Sequence, residues 1–342
     1  MTKAKAAILG ASGYTGAELV RILTDHPGIE IAALSADRKA GQAFGDVFAQ
    51  FNHLDMPRLT TIEEVDFSVI DMVFACLPHG ITQTTVKSLP DTVKVVDLSA
   101  DFRLRDPEIY EKWYGGPHQA LDLQKSVAYG LPEHYRDQIS SARVTANTGC
   151  YVVTSLLPVL PLLKARLINP DRIVIDAKSG VTGAGRAPKE GTLFSEVSDG
   201  FHAYGVGAHR HMAELDQEFS LAAGTSVTCS FTPHLVPQNR GILATIYVDG
   251  DADALHAALS KTYADELFVH VLPFGQTPQT RHVRASNMCK IGVVADRING
   301  RAIIVSVTDN LMKGASGQAV QNANIMLGLA EDAGLTRAPL FP

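Results

Sequence analysis

Lys5-Ala-Ala-Ile-Leu9, Gly10-Ala-Ser-Gly13-Tyr-Thr-Gly16, Ala17-Glu-Leu-Val-Arg-Ile-Leu-Thr-Asp-His26 and Ile29-Glu-Ile-Ala-Ala-Leu34 are the stretch that decides how this chain folds. Lys5 to Leu9 reads as a short buried strand. Leu19, Val20, Ile22 and Leu23 recur at helical spacing, and Pro27-Gly28 stops that helix. Ile29 to Leu34 is a second apolar strand, so the chain opens with a β-α-β unit. The glycines at 10, 13 and 16 lie in its first turn. Glycine lets a backbone turn tightly and come close to a pyrophosphate, and the helix that follows offers N–H groups and the positive end of its dipole. The familiar spacing is GxGxxG, whereas here Ser12 holds the middle place. A tight strand-to-helix connection alone could use such glycines. The strand-loop-helix-strand context favours a nucleotide site.

Outward from this unit, Met72 to Leu77 and Val93 to Leu98 are further short, Val-rich runs, as expected of parallel strands covered on both faces. The first ~150 residues therefore read as a doubly wound α/β domain. After Cys150 the texture changes. Val152 to Leu167 has helical spacing but contains Pro158 and Pro161, which predicts a kink or a break. Arg172–Ala177, Ser226–Thr232, Ile242–Val248 and Ala302–Val307 read as strands, several of them alternating, which suits a mixed or antiparallel sheet packed on one face. Helical spacing returns from Gln318 to Ala330. There is no internal repeat and no low-complexity linker.

The second strand runs into Ser35-Ala-Asp37-Arg38-Lys39. An acidic residue there would hold a ribose 2′-hydroxyl, as NAD requires, and an arginine a 2′-phosphate, as NADP requires. Arg38, Lys39 and Ser35 together outweigh Asp37 and favour NADP. A solvated turn after a strand is the plain alternative.

The whole chain is consistent with this reading. It has 342 residues with a net charge of −6, 46% hydrophobic and 19% charged, which is the balance of a globular protein of about two domains. Disorder, collagen and coiled coil are excluded as descriptions of the whole chain. No Lys/Arg-rich run marks a nucleic-acid partner. The longest apolar stretch, Tyr151 to Leu163, is too short to span a bilayer. Two lysines and four apolar residues in the opening MTKAKAAILG are too little for a signal peptide. The four cysteines, at 76, 150, 229 and 289, have no CxxC spacing, so a reducing cytoplasm is expected rather than a disulfide or zinc scaffold.

Cys150 lies in Ala146-Asn-Thr-Gly149-Cys150-Tyr151, directly before the apolar helix-like run. A thiol at a helix N-terminus is favoured as thiolate, and the amides there can hold an oxyanion. A buried structural cysteine is the other reading, and it fits Cys76, Cys229 and Cys289 well. A nucleophile needs a base. Among twelve histidines, the distinctive group is His209-Arg210-His211-Met-Ala-Glu214, where Glu214 could orient an imidazole. No third ligand at useful spacing supports a metal site. Lys178-Ser179-Gly180-Val-Thr-Gly183-Ala-Gly185-Arg186 is a polar loop whose amides could meet an anion. Asn310-Leu-Met-Lys313-Gly314-Ala-Ser-Gly317 opens the last helix.

Taken together, GASGYTGAEL (10–19), ACLPHG (75–80), DLSADFRL (97–104), YGLPE (129–133), NTGCY (147–151), KSGVTGAGR (178–186), AHRHMAEL (208–215), PQNRGI (237–242) and NLMKGASGQAVQNAN (310–324) resemble the N-acetyl-γ-glutamyl-phosphate reductases of arginine biosynthesis. The motifs span nearly the whole chain in the family's order. The resemblance implies an N-terminal Rossmann domain, 1–149 with 311–342, and an α+β catalytic domain of the glyceraldehyde-3-phosphate dehydrogenase-like type, 150–310, which also carries oligomerisation. It implies Cys150 as nucleophile and His209 as acid/base. Gly10, Ser12, Gly13, Tyr14, Thr15, Gly16, Ser35, Arg38, Ser179 and Asn310 would contact NADP. Arg210, Arg186 and Lys313 are candidates for the substrate's phosphate and carboxylate. The implied partners are a small-molecule acyl phosphate and further copies of the chain, as homodimer or homotetramer, with neither nucleic acid nor membrane. Aspartyl phosphate and carrier-linked aminoadipyl phosphate are the alternative substrates. One departure from the commoner family pattern is that Thr148, Val152 and Val153 stand where that pattern has proline, proline and threonine, with Thr154 one step later.

Overall fold

The computed structural model describes residues 2–341, and they form two compact units: 2–148 with 315–336, and 149–314 with 337–341. In the first unit β1 (Ala4–Leu9), β2 (Ile29–Ser35), β3 (Leu59–Thr60), β4 (Met72–Ala75), β5 (Lys94–Asp97), β6 (Ala128–Gly130) and β7 (Val144–Asn147) build one sheet in the order β3-β2-β1-β4-β5-β7-β6. Every pairing in it is parallel. β4 is buried along its whole length, and three of the four residues of β5 are. That is why their sequences are continuous apolar runs rather than alternating ones. The helix Tyr14–Leu23 buries Leu19, Val20, Ile22 and Leu23, the stripe read from the sequence. The order reverses between β1 and β4. At their carboxyl ends this leaves a crevice where open α/β sheets bind ligands.

The helix Gly317–Met326 belongs to this first unit. The Asn322 side-chain amide donates to Gly130 O (3.1 Å) and to Asn147 Oδ1 (3.0 Å). Residues 311–314 and 337–341, expected with this domain, lie instead in the second unit, where Leu340 N donates to Arg284 O (2.8 Å).

In the second unit β8 (Val174–Gly180), β9 (His202–Ala203), β10 (Ser230–Val236), β11 (Ile242–Asp249), β12 (Val269–Val271), β13 (Cys289–Ala295) and β14 (Arg301–Thr308) form a mixed sheet in the order β12-β13-β14-β11-β8-β10-β9. β8 pairs parallel with β10 and antiparallel with β11. Burial alternates residue by residue along β11, the mark of a sheet with one covered face. The cover includes the helix Cys150–Lys164, in which every residue from Tyr151 to Leu163 is buried. This helix runs unbroken past Pro158 and Pro161, against the expected kink or break. Pro161 leaves the carbonyl of Leu157 without its intrahelical donor, and the buried Tyr263 hydroxyl donates to that oxygen. The strand read at Ser226–Thr232 forms four residues later, at Ser230–Val236, because its partner is β8 and Ser230 stands opposite Val174.

Candidate active site

Cys150 is the first residue of the second unit's longest helix, and Gly149 caps it without any side-chain oxygen. The Gly149 N–H donates to Glu214 Oε1 at 3.1 Å, and Glu214 is buried in the first turn of the helix His211–Ala223. Glu214 therefore positions the residue before the nucleophile candidate. The His211 imidazole lies flat against the same glycine: a Cβ placed on Gly149 would be 2.5 Å from His211 Nε2. Gly314 packs on Cys150 itself, where a Cβ would sit 2.9 Å from Cys150 Cβ. Glycine at 149 and 314 is therefore a condition for the two helices and the Asp309–Gly314 turn to close around Cys150.

His209 and His211 have ring centroids 4.7 Å apart, and both meet the ring of Tyr151 edge-on at 5.9 Å. His209 Nδ1 accepts the His211 backbone N–H at 3.2 Å. The neutral His209 ring therefore carries its proton on Nε2. Burial, and then the neighbouring Arg210 guanidinium, bring the His209 pKa down to about 4, so the ring is neutral at pH 7. Tyr151 donates to His234 O (2.8 Å) and accepts from the Tyr204 hydroxyl (3.3 Å). Burial raises both phenols, Tyr204 to about 12. They act here as fixed dipoles rather than acids.

The 178–186 and 237–241 loops are tied together beside this cluster. Asn310 Oδ1 accepts Gly241 N–H (2.8 Å), and its amide donates to Thr182 Oγ1 (2.9 Å). Gly241, at φ +110, allows the turn that Arg240 enters. Arg240 Nη1 lies 3.4 Å from Oδ2 of the buried Asp309, whose carbonyl oxygen packs with Cys150 around Gly314. Arg240 is a basic residue, joined through Asp309 to the turn that packs on Cys150, that the sequence reading did not single out.

In the first unit, Gly10 has φ +80, and a Cβ there would overlap Cys76 O. The Gly16 Cα faces Ala11, where a Cβ would approach to 2.6 Å. The helix begins at Tyr14 with no side-chain cap on Gly13, leaving a cradle of backbone suited to an anion. Ser35 is buried beneath the turn and accepts Gly10 N–H on Oγ (3.4 Å), while Asp37, Arg38 and Lys39 are exposed. This donor set fits a dinucleotide: a bare amide-lined turn for the diphosphate and exposed cations beyond β2.

A family model described as semialdehyde dehydrogenase, NAD binding domain, matches residues 5–142, and one described as semialdehyde dehydrogenase, dimerisation domain, matches 150–310. Relatives named N-acetyl-gamma-glutamyl-phosphate reductase include those of Afipia carboxidovorans (62% identical), Paracoccus denitrificans (59%) and Ruegeria pomeroyi (58%), each alignment covering 99% of both chains. The chain belongs to the N-acetyl-γ-glutamyl-phosphate reductase family. The fold is shared with aspartate semialdehyde dehydrogenase II of Vibrio cholerae (TM-score 0.72, 17% identical, 96% of this chain and 99% of that one). It is shared too with the Candida albicans aspartate semialdehyde dehydrogenase solved with NADP (0.70, 18%, 97% and 100%).

In this family member the site residues expected from sequence fall into both units. Gly10, Ser12, Gly13, Tyr14, Thr15, Gly16, Ser35 and Arg38 lie in the first, and Cys150, His209, Ser179 and Asn310 in the second. Arg186 and Arg210 are exposed. Lys313 is buried within the π-helical turn Met312–Ser316, its ammonium 5.9 Å over the Phe268 ring. Among the described residues no group of three or more His, Cys, Asp or Glu could hold a metal ion, and no helix is long and apolar enough to cross a membrane.

Proposed function

We propose that the protein reduces N-acetyl-γ-glutamyl phosphate to N-acetylglutamate 5-semialdehyde with release of phosphate, using NADPH, as a step of arginine biosynthesis in the cytoplasm. The observation that carries this reading is the placement of Cys150. It is a partly exposed thiol at the head of a 15-residue buried helix, with His211 and Glu214 fastened to its cap.

The Cys150 thiolate attacks the acyl carbon. The bond to the phosphate oxygen breaks, inorganic phosphate leaves and a thioester forms. NADPH, held by the 10–16 turn and the residues beyond β2, would supply the hydride for the thioester carbon. His209, neutral with its proton on Nε2, would hydrogen-bond the oxygen as negative charge builds on it. The tetrahedral oxyanion then collapses, the C–S bond breaks, and the aldehyde leaves a free thiolate. The first-turn amides of the Cys150 helix are the donors proposed for an oxyanion on the acyl carbon. A second assignment of the proton-handling ring has its own support: His211, not His209, packs on Gly149. Arg240, together with the exposed Arg186 and Arg210, is the cation proposed for the substrate's phosphate and carboxylate.

NADP rather than NAD is favoured by Arg38 and Lys39, exposed beyond β2. Assembly as a homodimer or homotetramer is supported by the family description of 150–310 as a dimerisation domain, and by Phe194 and Phe201, 84% and 65% exposed in that unit.

The test is oxidation of N-acetylglutamate semialdehyde in the presence of phosphate, comparing NADP with NAD, and aspartate and aminoadipate semialdehydes as competing substrates. NADP- and phosphate-dependent turnover confined to the N-acetylglutamate compound is expected. Cys150→Ser should keep dinucleotide affinity while turnover falls by several orders of magnitude. Near-normal turnover of that variant removes the covalent mechanism.

A further inference from the structure

The chain reaches the Cys150 helix through Asn147, which ends β7, then Thr148, then the cap residue Gly149. Side chains of the first unit hold the first two of these. Arg103 Nε donates to Asn147 O (2.8 Å). The Asn147 amide donates to Ala315 O (3.1 Å), and Asn322 donates to Asn147 Oδ1 (3.0 Å). Thr148 is buried too, and its Oγ1 accepts from Gln318 Nε2 at 2.6 Å. Gly149 has no side chain to hold, and its N–H is taken by Glu214.

Gln318 is fully buried near the start of the helix Gly317–Met326. Among the described residues its side chain bonds only Thr148, and its Oε1 is buried without a partner. Burying an amide with part of its capacity unmet costs stability. An apolar residue of similar volume would fill the place without that cost, so what the amide adds is a fixed point for the Thr148 hydroxyl. Thr148 is also one of the places where the chain departs from the commoner family pattern, which has proline there. A proline ring holds its own φ at about −65°. Threonine has no ring, but its branched Cβ confines χ1. Holding Oγ1 therefore also confines the backbone of residue 148.

We infer that Thr148 and Gln318 are positioning residues for the nucleophile: the hydrogen bond between them sets the direction in which the chain enters Gly149, and so the place of the Cys150 thiol at the head of its helix. This rests on the reading of Cys150 as the nucleophile. Both residues act through the backbone and take no part in the chemistry.

The experiment compares the wild-type protein with Thr148→Ser, Thr148→Val, and Thr148→Val combined with Gln318→Met. Serine keeps the hydroxyl, and valine keeps the shape without it. The double variant replaces both partners by apolar groups and so removes the unpaired amide. Three readouts are taken: the urea midpoint, the rate at which iodoacetamide alkylates Cys150 at pH 7 (followed on the peptide that contains it), and kcat and KM for phosphate-dependent oxidation of the semialdehyde. Thr148→Val should lower the urea midpoint, slow alkylation about threefold or more, and lower kcat about tenfold with KM changed less than about twofold. Thr148→Ser should lie nearer the wild type than Thr148→Val in both rates. The double variant should recover the urea midpoint while alkylation and kcat stay low. Recovery of both rates along with the midpoint, wild-type rates in Thr148→Val, or serine as slow as valine overturns the inference and leaves the bond a structural one. Turnover that survives Cys150→Ser is a separate outcome: it removes the nucleophile reading, while the alkylation rates, measured without turnover, still decide whether the pair places the thiol.

Discussion

Two histidines two residues apart differ in what they can do. His209 is half-buried, next to a guanidinium, and its pKa is lowered to about 4. If its neutral form is the one that acts, kcat/KM for the aldehyde should show no histidine limb between pH 6 and 8, and should fall only as the pH nears about 4. His209→Asn should then lower kcat by roughly 10²–10⁴-fold. The same loss in His211→Asn with little in His209→Asn would give the proton to the ring on Gly149. Parallel pH–rate profiles of the two variants decide this. The resemblance implied His209, but residue spacing alone offered only the pair, because the choice depends on which ring meets Gly149 and which accepts an amide.

At the scale of elements, backbone oxygens and Cα atoms set the constraints. Tyr263→Phe should destabilise the second unit by about 1–3 kcal/mol, since it strips the donor from a buried carbonyl that Pro161 has already deprived. Urea unfolding measures this, and an unchanged midpoint would show that Leu157 O finds another donor. In the glycine turn, Gly10→Ala meets both a positive φ and the Cys76 backbone, and should cost at least about 2 kcal/mol together with dinucleotide affinity. Gly13→Ala should be nearly neutral for stability, because φ there is −86 and a Cβ would meet only Gly10 O at 3.7 Å. The three glycines look alike in sequence. Only the neighbouring strand tells which of them has no room for a side chain.

Across the whole molecule, the chain leaves the first unit at Gly149 and returns to it at Ala315. The return is fastened at the end of the first helix. His26 is buried, with Nδ1 accepting Gly28 and Ile29 N–H (3.1 and 2.9 Å) and Nε2 meeting Ala333 O (3.0 Å). Burial lowers its pKa from 6.5, so the native state prefers the neutral ring, whose Nδ1 must remain an acceptor. The unfolded chain therefore binds more protons below that value. This contribution is complete above about pH 6.5 and is lost as the pH falls toward the depressed folded pKa. His118 in the same unit is shifted in the same direction, also by burial. His26→Asn, which can keep an acceptor near Nδ1 without the charge change, should flatten the fall in unfolding midpoint between pH 7 and 5. Identical pH slopes in the two proteins would remove His26 from the account.

Periodicity and turn chemistry alone determined the opening β-α-β unit, the parallel strands β4 and β5, the alternating β11 and β14, and the position of Cys150 at the head of a helix. These are local properties of spacing and residue type, and tertiary packing did not override them. β7, β9, β12, β13 and the edge strands β3 and β6 were not read. Most of these are two or three residues long and become strands only through a partner that the sequence places far away. The unbroken helix through two prolines, the burial of Lys313, the attachment of Glu214 to Gly149 and the Thr148–Gln318 pair were likewise decided by the tertiary structure. Each depends on a donor, an acceptor or a surface brought from dozens to 170 residues away, and no local pattern records which distant group will arrive.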